Sequence, residues 1–73
     1  MPHVIIKLFP GRSEDQKQLL AERVTQAVIE SLDCREKGVS VSLEEIPQAD
    51  WTEKVYQPDI IGGPGKLYKK PGY

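Results

Sequence analysis

Proline at position 2, directly before a run of strand-forming residues, is the feature of this chain that most directly suggests chemistry. Because Pro2 is small, we expect Met1 to be removed, which would leave a secondary amine at the chain end. A terminus that leads directly into a strand is held in place, so that amine would have a defined position. Burial in an apolar pocket or a nearby cation would lower its pKa towards neutrality, where a general base is most efficient. The alternative is that Pro2 is merely tolerated at the start of a strand.

Two further residues have side chains suited to binding a small substrate. Arg12 lies in the turn between a predicted strand and a predicted helix, where its guanidinium and the free N–H groups of the helix could together bind a carboxylate. The alternative is a solvated loop arginine. Trp51, the only tryptophan, could line an apolar pocket or could simply pack in the core or at an interface.

The elements that must position these residues are a strand, a helix and a second strand. Residues 3–9 are rich in β-branched and aromatic residues, and Pro10 and Gly11 end this predicted strand. Ser13 and Gln16 have the spacing of a capping box, and the helix is expected to run to about residue 32. Residues 39–43 alternate between apolar residues and serine, which is typical of a second strand. The apolar stripe of the helix is predicted to contain Leu20, Val24, Ala27, Val28 and Leu32.

This order predicts an α/β fold made of a single β-α-β unit, with parallel strands and a right-handed crossover. One such unit leaves one face and both edges of the sheet uncovered, so we expect it to pair with a second chain to form a four-stranded sheet. Residues 50–56 are predicted to form a short helical turn. Residues 58–73, rich in Pro and Gly, are predicted to be a loop that contacts a neighbouring subunit, with a possible edge strand at 60–61 or 66–68. Residues 2–73 form one domain in this interpretation.

Composition narrows the classes of partner. Ten Lys and Arg residues against eleven Asp and Glu residues give a net charge of −1, which provides no electrostatic basis for binding nucleic acid or an anionic membrane. The single cysteine and single histidine exclude a disulfide within the chain and a His/Cys metal cluster. One cysteine also fits a reducing compartment, so we expect a cytoplasmic protein without a metal or other cofactor.

Several of these features together resemble the 4-oxalocrotonate tautomerase family. The features are Pro2, the run GRSEDQK at residues 11–17, the helix ending SLD at residues 31–33, and the alternating strand. The ending KKPGY at residues 69–73 is similar to a branch of small tautomerases in that family. The resemblance implies that Pro2 is the catalytic acid and base, and that Arg12 binds the substrate carboxylate and the adjacent oxygen. It also implies that Trp51 forms an aromatic wall of the pocket.

Ser40 stands where family members that process diacids carry a second arginine. The resemblance therefore predicts a keto–enol tautomerase acting on a monocarboxylic 2-hydroxy-enoate or 2-keto acid, such as an arylpyruvate, with Ser40 in the binding site. It implies an oligomer, and the longer tail favours a homodimer over a hexamer. Two alternatives stay open: a hydratase or dehalogenase that uses a cationic proline, and an oligomeric binding module without turnover.

Overall fold

Two parallel strands and a crossover helix form the first part of the fold, as the sequence predicts. The computed structural model describes residues 1–73, with β1 at His3–Leu8, α1 at Glu14–Leu32 and β2 at Ser40–Glu45. The strands pair in parallel, from His3 opposite Ser40 to Leu8 opposite Glu45. The predicted α/β class and the β-α-β arrangement are therefore confirmed, with β1 ending one residue earlier and β2 lying slightly later in the chain than expected.

Local signals in the sequence determine both ends of α1. The Ser13 side chain accepts a hydrogen bond from the Gln16 backbone N–H at 3.1 Å, and the Gln16 side chain accepts one from the Ser13 N–H at 3.0 Å. This is the predicted capping box. Gly11 has φ +125°, which only glycine adopts readily, so the turn between β1 and α1 needs a glycine there. At the other end Asp33 adopts the left-handed conformation with φ 52° and ends the helix.

The helix packs on the sheet with a stripe that differs in part from the predicted one. Its half-buried apolar positions include Val24 and Val28, as expected, but Leu20, Ala27 and Leu32 are exposed. The remaining half-buried positions of this stripe are Ala21, Thr25 and Ile29. The prediction was wrong at three positions for two reasons. Leu20 and Ala27 lie at the edge of the helix face that packs on the sheet, and Leu32 shares a face with Val28 but is the last residue of α1.

The second part of the chain contains more helix than predicted. A short 3₁₀ turn at Gln48–Asp50 leads into a π-helix at Thr52–Ile61, which continues through Pro58. The sequence predicts a helical turn only to about residue 56, and a proline such as Pro58 normally interrupts a helix. Here the turn beyond Pro58 is held by an ion pair between Lys7 and Asp59 and by the half-buried side chain of Ile60. The possible edge strands are absent: residues 60–61 end the π-helix and residues 66–68 are irregular.

A single chain shields very few of its side chains from solvent. Only Ile46 and Val55 are buried, and α1 contains no fully buried residue. The radius of gyration is 13.6 Å, whereas a compact chain of this length is expected to have about 11 Å. Large apolar side chains also lie exposed on both the sheet and the helix, among them Ile5 at 58% and Leu32 at 62%. None of the helices is long and apolar enough to cross a membrane.

Candidate active site

Pro2 lies at the open end of β1 and is held there by the backbone of β2. The Ser40 N–H donates a hydrogen bond to the Pro2 carbonyl oxygen at 3.1 Å, which extends the sheet ladder to the start of the chain. The Ser40 hydroxyl also forms a 2.6 Å hydrogen bond with Nδ1 of His3. Met1, ahead of them, is fully exposed. We call Pro2, His3 and Ser40 the Pro2 end of the molecule.

A cavity of about 510 Å³ lies at the opposite end of β1. The rings of Phe9 and Trp51 meet edge to face there with centroids 5.0 Å apart. The indole N–H of Trp51 donates a hydrogen bond to the Tyr73 hydroxyl at 3.1 Å. The ring of Tyr73 also packs against that of Tyr56, with ring centroids 5.6 Å apart. We call this space the Arg12 cavity; it is lined by Lys7, Leu8, Phe9, Arg12, Trp51 and Tyr73.

The two cationic side chains of the Arg12 cavity differ in their interaction partners. Lys7 forms an ion pair with Asp59, and this hydrogen bond raises the pKa of the Lys7 ammonium above its ordinary value of 10.5. Arg12 is exposed and makes only one weak hydrogen bond, from Nη1 to the Phe9 carbonyl oxygen at 3.5 Å. It takes part in none of the ion pairs between protein side chains. Its guanidinium is therefore the cation that can accept a carboxylate in two-point contact.

The predicted site residues fall into two groups within one chain. Arg12 and Trp51 line the same cavity, and Pro2 and Ser40 are neighbours at the other end. The six residues of β1 separate the two groups, which is about 20 Å at about 3.3 Å per residue. A substrate with a reacting centre only a few ångströms from its carboxylate cannot reach Pro2 and Arg12 of one chain together.

Sequence reasoning did not single out several residues of these two groups. Tyr73 reaches the cavity by a contact across 22 positions, and no local pattern reveals such a contact. Residue 9 was predicted to be the last residue of the first strand, but Phe9 follows β1 and its ring packs against Trp51. His3 is the only histidine of the chain. It lies directly opposite Ser40 in the parallel register of the two strands, and a prediction of that register would have identified the contact.

Comparison with known proteins identifies the family. The sequence profile of the tautomerase enzyme family matches residues 2–54. The whole chain is 42% identical to a probable tautomerase of Xylella fastidiosa, of which it covers 89%, and 38% identical to tautomerase PptA of Cronobacter sakazakii, of which it covers 97%. Among solved structures, a 4-oxalocrotonate tautomerase isozyme from Methylibium petroleiphilum superposes with a TM-score of 0.66 at 36% identity, over 68% of this chain and 81% of that one.

These similarities cover both strands, the helix and the start of the π-helix, so they include Pro2, Arg12, Ser40 and Trp51. They extend over nearly the full length of the two relatives as well. The expected family, and with it an isomerase activity, is confirmed: this chain belongs to the tautomerase family of enzymes.

Proposed function

We propose that this protein is a keto–enol tautomerase that converts a monocarboxylic 2-hydroxy-enoate into the corresponding 2-keto acid, with the amine of Pro2 as acid and base. The observation that carries the proposal is the hydrogen bond from the Ser40 N–H to the Pro2 carbonyl, which fixes the start of the chain on the sheet. Met1 is fully exposed, so a processing enzyme can reach it. Its removal converts the fixed amide nitrogen of Pro2 into a fixed secondary amine.

The chemistry needs one base and one cation. The neutral Pro2 amine takes the proton of the enol hydroxyl, the C–O bond becomes a carbonyl, and the electrons of the C=C bond accept the proton back at carbon 3. Negative charge develops on the 2-oxygen and lies next to the carboxylate during this transfer. The guanidinium of Arg12 binds both oxygens and stabilises that charge.

The Arg12 cavity favours an arylpyruvate-like substrate. Its walls include the rings of Phe9, Trp51 and Tyr73, and edge-to-face contacts with such rings stabilise a bound aromatic side chain. It contains one cation without a carboxylate partner, which matches one substrate carboxylate. A volume of about 510 Å³ lies within the range typical of small-molecule sites.

A complete site then requires two chains. Since about 20 Å of β1 separates Pro2 from Arg12, we propose that Pro2 of one chain meets the Arg12 cavity of another. Pairing of two β-α-β units into a four-stranded sheet would also cover the apolar side chains that a single chain exposes. We favour a homodimer, in which residues 58–73 contact the neighbouring subunit in addition to Trp51 of their own chain. Sedimentation at micromolar concentration should show no folded monomer.

The enol-ketonisation assay with Pro2→Ala tests the proposal. After removal of Met1, Pro2→Ala leaves a primary amine that differs from the proline amine in basicity and position. It is therefore expected to lose most of the activity, up to the about 10²- to 10⁴-fold in kcat that general acid–base catalysis contributes, while fold and assembly are retained. Intact mass on the wild-type protein should show that Met1 is absent. Full activity of Pro2→Ala, or of protein that retains Met1, would contradict the mechanism. Release of chloride from an unsaturated haloacid without any ketonisation would favour the dehalogenase alternative instead.

A further inference from the structure

We propose that Asp59 is a specificity-determining residue, because it pairs with Lys7, the second cation of the Arg12 cavity, and so keeps that cation from a ligand. The proposal rests on the proposed function, since it takes the Arg12 cavity as the substrate pocket. It assigns a role to a residue of the π-helix that lies outside this cavity. It also predicts that one substitution in the π-helix gives the cavity a second cation for binding carboxylates.

Lys7 lies between two cavities. It lines the Arg12 cavity, and it also lines a neighbouring cavity of about 410 Å³. Of these two cavities, Arg12 lines only the first and Asp59 only the second. The ammonium of Lys7 is carried on a flexible four-carbon chain, so it can reach a group on either side. The neighbouring cavity is lined by Ile5, Lys7, Trp51, Val55, Asp59 and Ile60.

The fold holds Lys7 on the Asp59 side. Its ammonium donates a hydrogen bond to a carboxylate oxygen of Asp59, across 52 positions of the chain. This hydrogen bond raises the pKa of Lys7, and the charge of Glu44, which lies opposite Lys7 in the strand register, raises it to a smaller extent. Two acidic residues of the chain therefore compete with a ligand for this ammonium.

Arg12 has no such competitor, because it takes part in no ion pair within the chain. One ligand carboxylate can thus bind Arg12, whereas a second one must displace Asp59 from Lys7. Removal of the Asp59 charge removes this competition. Lys7 stays cationic at neutral pH without it, since its pKa would then return towards the ordinary value of 10.5. A second carboxylate would gain an opposite charge that offsets its loss of water.

The test measures the binding of two acids that differ by one carboxylate: 3-phenylpropanoate and 4-(2-carboxyethyl)benzoate. Trp51 is the only tryptophan and lines the cavity, so its fluorescence reports binding without turnover. The ratio of the two Kd values is compared between wild type and Asp59→Asn. We expect the substitution to shift this ratio towards the diacid by about threefold to tenfold. The effect is modest because Lys7 and Asp59 are partly exposed and Glu44 remains beside Lys7.

The directions of two single variants separate this role from a structural one. Lys7→Gln leaves the Asp59 carboxylate without its partner, so it should shift the ratio away from the diacid. The double variant Lys7→Gln with Asp59→Asn removes both charges and should return the ratio close to that of wild type. If the ion pair only tied the π-helix to β1, both single variants would shift the ratio in the same direction.

Asp50→Asn is the matched control. Asp50 is paired with Lys54, its side chain is 40% exposed against 42% for Asp59, and it lines neither cavity. The substitution changes the net charge by the same amount, so it should leave the ratio unchanged.

The outcomes against the proposal are distinct. With the oligomer intact by sedimentation, a ratio that is unchanged in Asp59→Asn, or that shifts equally in Asp50→Asn, would contradict the role of Asp59 and leave the proposed function standing. Absence of binding by both acids in wild type and in every variant would contradict the Arg12 cavity as the substrate pocket, and the role of Asp59 with it.

Discussion

The two ends of β1 are built in different ways. The Pro2 end is held by backbone hydrogen bonds and by a short polar contact between adjacent strands, so residues close to the sheet ladder determine it. The Arg12 cavity is held by side chains from three distant parts of the chain, which meet as the rings of Phe9, Trp51 and Tyr73. In the proposed mechanism the Pro2 end supplies the base, and the Arg12 cavity supplies a cation among aromatic rings.

The difference fits the proposed mechanism, in which one chain supplies the base and another chain supplies the substrate-binding pocket. A base needs a rigid position, which the sheet supplies, whereas substrate selection needs a shaped pocket, which long-range side-chain contacts supply. Since the two are about 20 Å apart in one chain, the proposed mechanism requires assembly to bring them together. In the proposed mechanism oligomerisation is part of the catalytic apparatus, and it would also stabilise a chain with only two buried residues.

Removing the cation should have the largest effect at the Arg12 end. Arg12→Ala is expected to reduce kcat/KM by about tenfold to a hundredfold, because a charge-assisted hydrogen bond contributes about 1.5–3 kcal/mol. Arg12→Lys keeps the charge but loses the planar two-point contact, so it should recover only part of this loss. Steady-state kinetics with an aryl enol substrate gives both values. Wild-type kcat/KM in Arg12→Ala would show that this guanidinium does not bind substrate.

Substitutions in the aromatic wall should change the substrate preference more than they change the formation of the oligomer. Trp51→Ala is expected to reduce the preference for an aryl over an alkyl enol by about tenfold, because it removes a contact worth about 0.5–1.5 kcal/mol together with apolar area. Tyr73→Phe keeps the ring but loses the hydrogen bond from Trp51, so a change of about twofold is expected. Equal loss for both substrates would mean that these rings support the fold instead of contacting the side chain of the substrate.

The smallest effect is expected from the ion pair that ties the π-helix to β1. Asp59→Asn should lower the urea midpoint slightly at neutral pH, since Lys7 and Asp59 are partly exposed and solvent screens their attraction. Because this pair raises the pKa of Lys7 in the folded state, its contribution is complete below the ordinary value of 10.5 and is lost as the pH rises through the raised value. The midpoints of wild type and Asp59→Asn should therefore converge at strongly alkaline pH. A constant difference across that range would exclude the Lys7 charge as the cause.

Much of the fold could be predicted because its signals are local. The capping box at Ser13 and Gln16 and the alternation in β2 each involve residues only a few positions apart, and both were found as expected. The π-helix could not be predicted past Pro58, because contacts with β1, 52 positions away at Lys7, hold its last turn. Local propensity carries no information about such contacts.

The candidate site was predictable in its residues more than in its arrangement. Arg12 and Trp51, chosen separately from the sequence, line one cavity in the structure. The sequence did not predict that Pro2 lies far from that cavity. The spacing of residues along a chain does not show whether they come together within one chain or between two chains. Tyr73 was missed for a related reason, since its place beside Trp51 depends on how the tail folds back.

Complementation between two variants of low activity tests the central claim most directly. Pro2→Ala retains the Arg12 cavity and Arg12→Ala retains the Pro2 amine, so a mixed oligomer contains one site with both groups. After the two are unfolded together and refolded at equal concentration, random pairing should restore about a quarter of the wild-type sites. The control replaces Arg12→Ala by the chain that carries both substitutions, which supplies no Pro2 amine and should restore nothing. Recovery towards a quarter of wild-type activity is the result we predict; activity no greater than the sum of the two variants, with mixed oligomers present by native mass spectrometry, would contradict a site shared between chains.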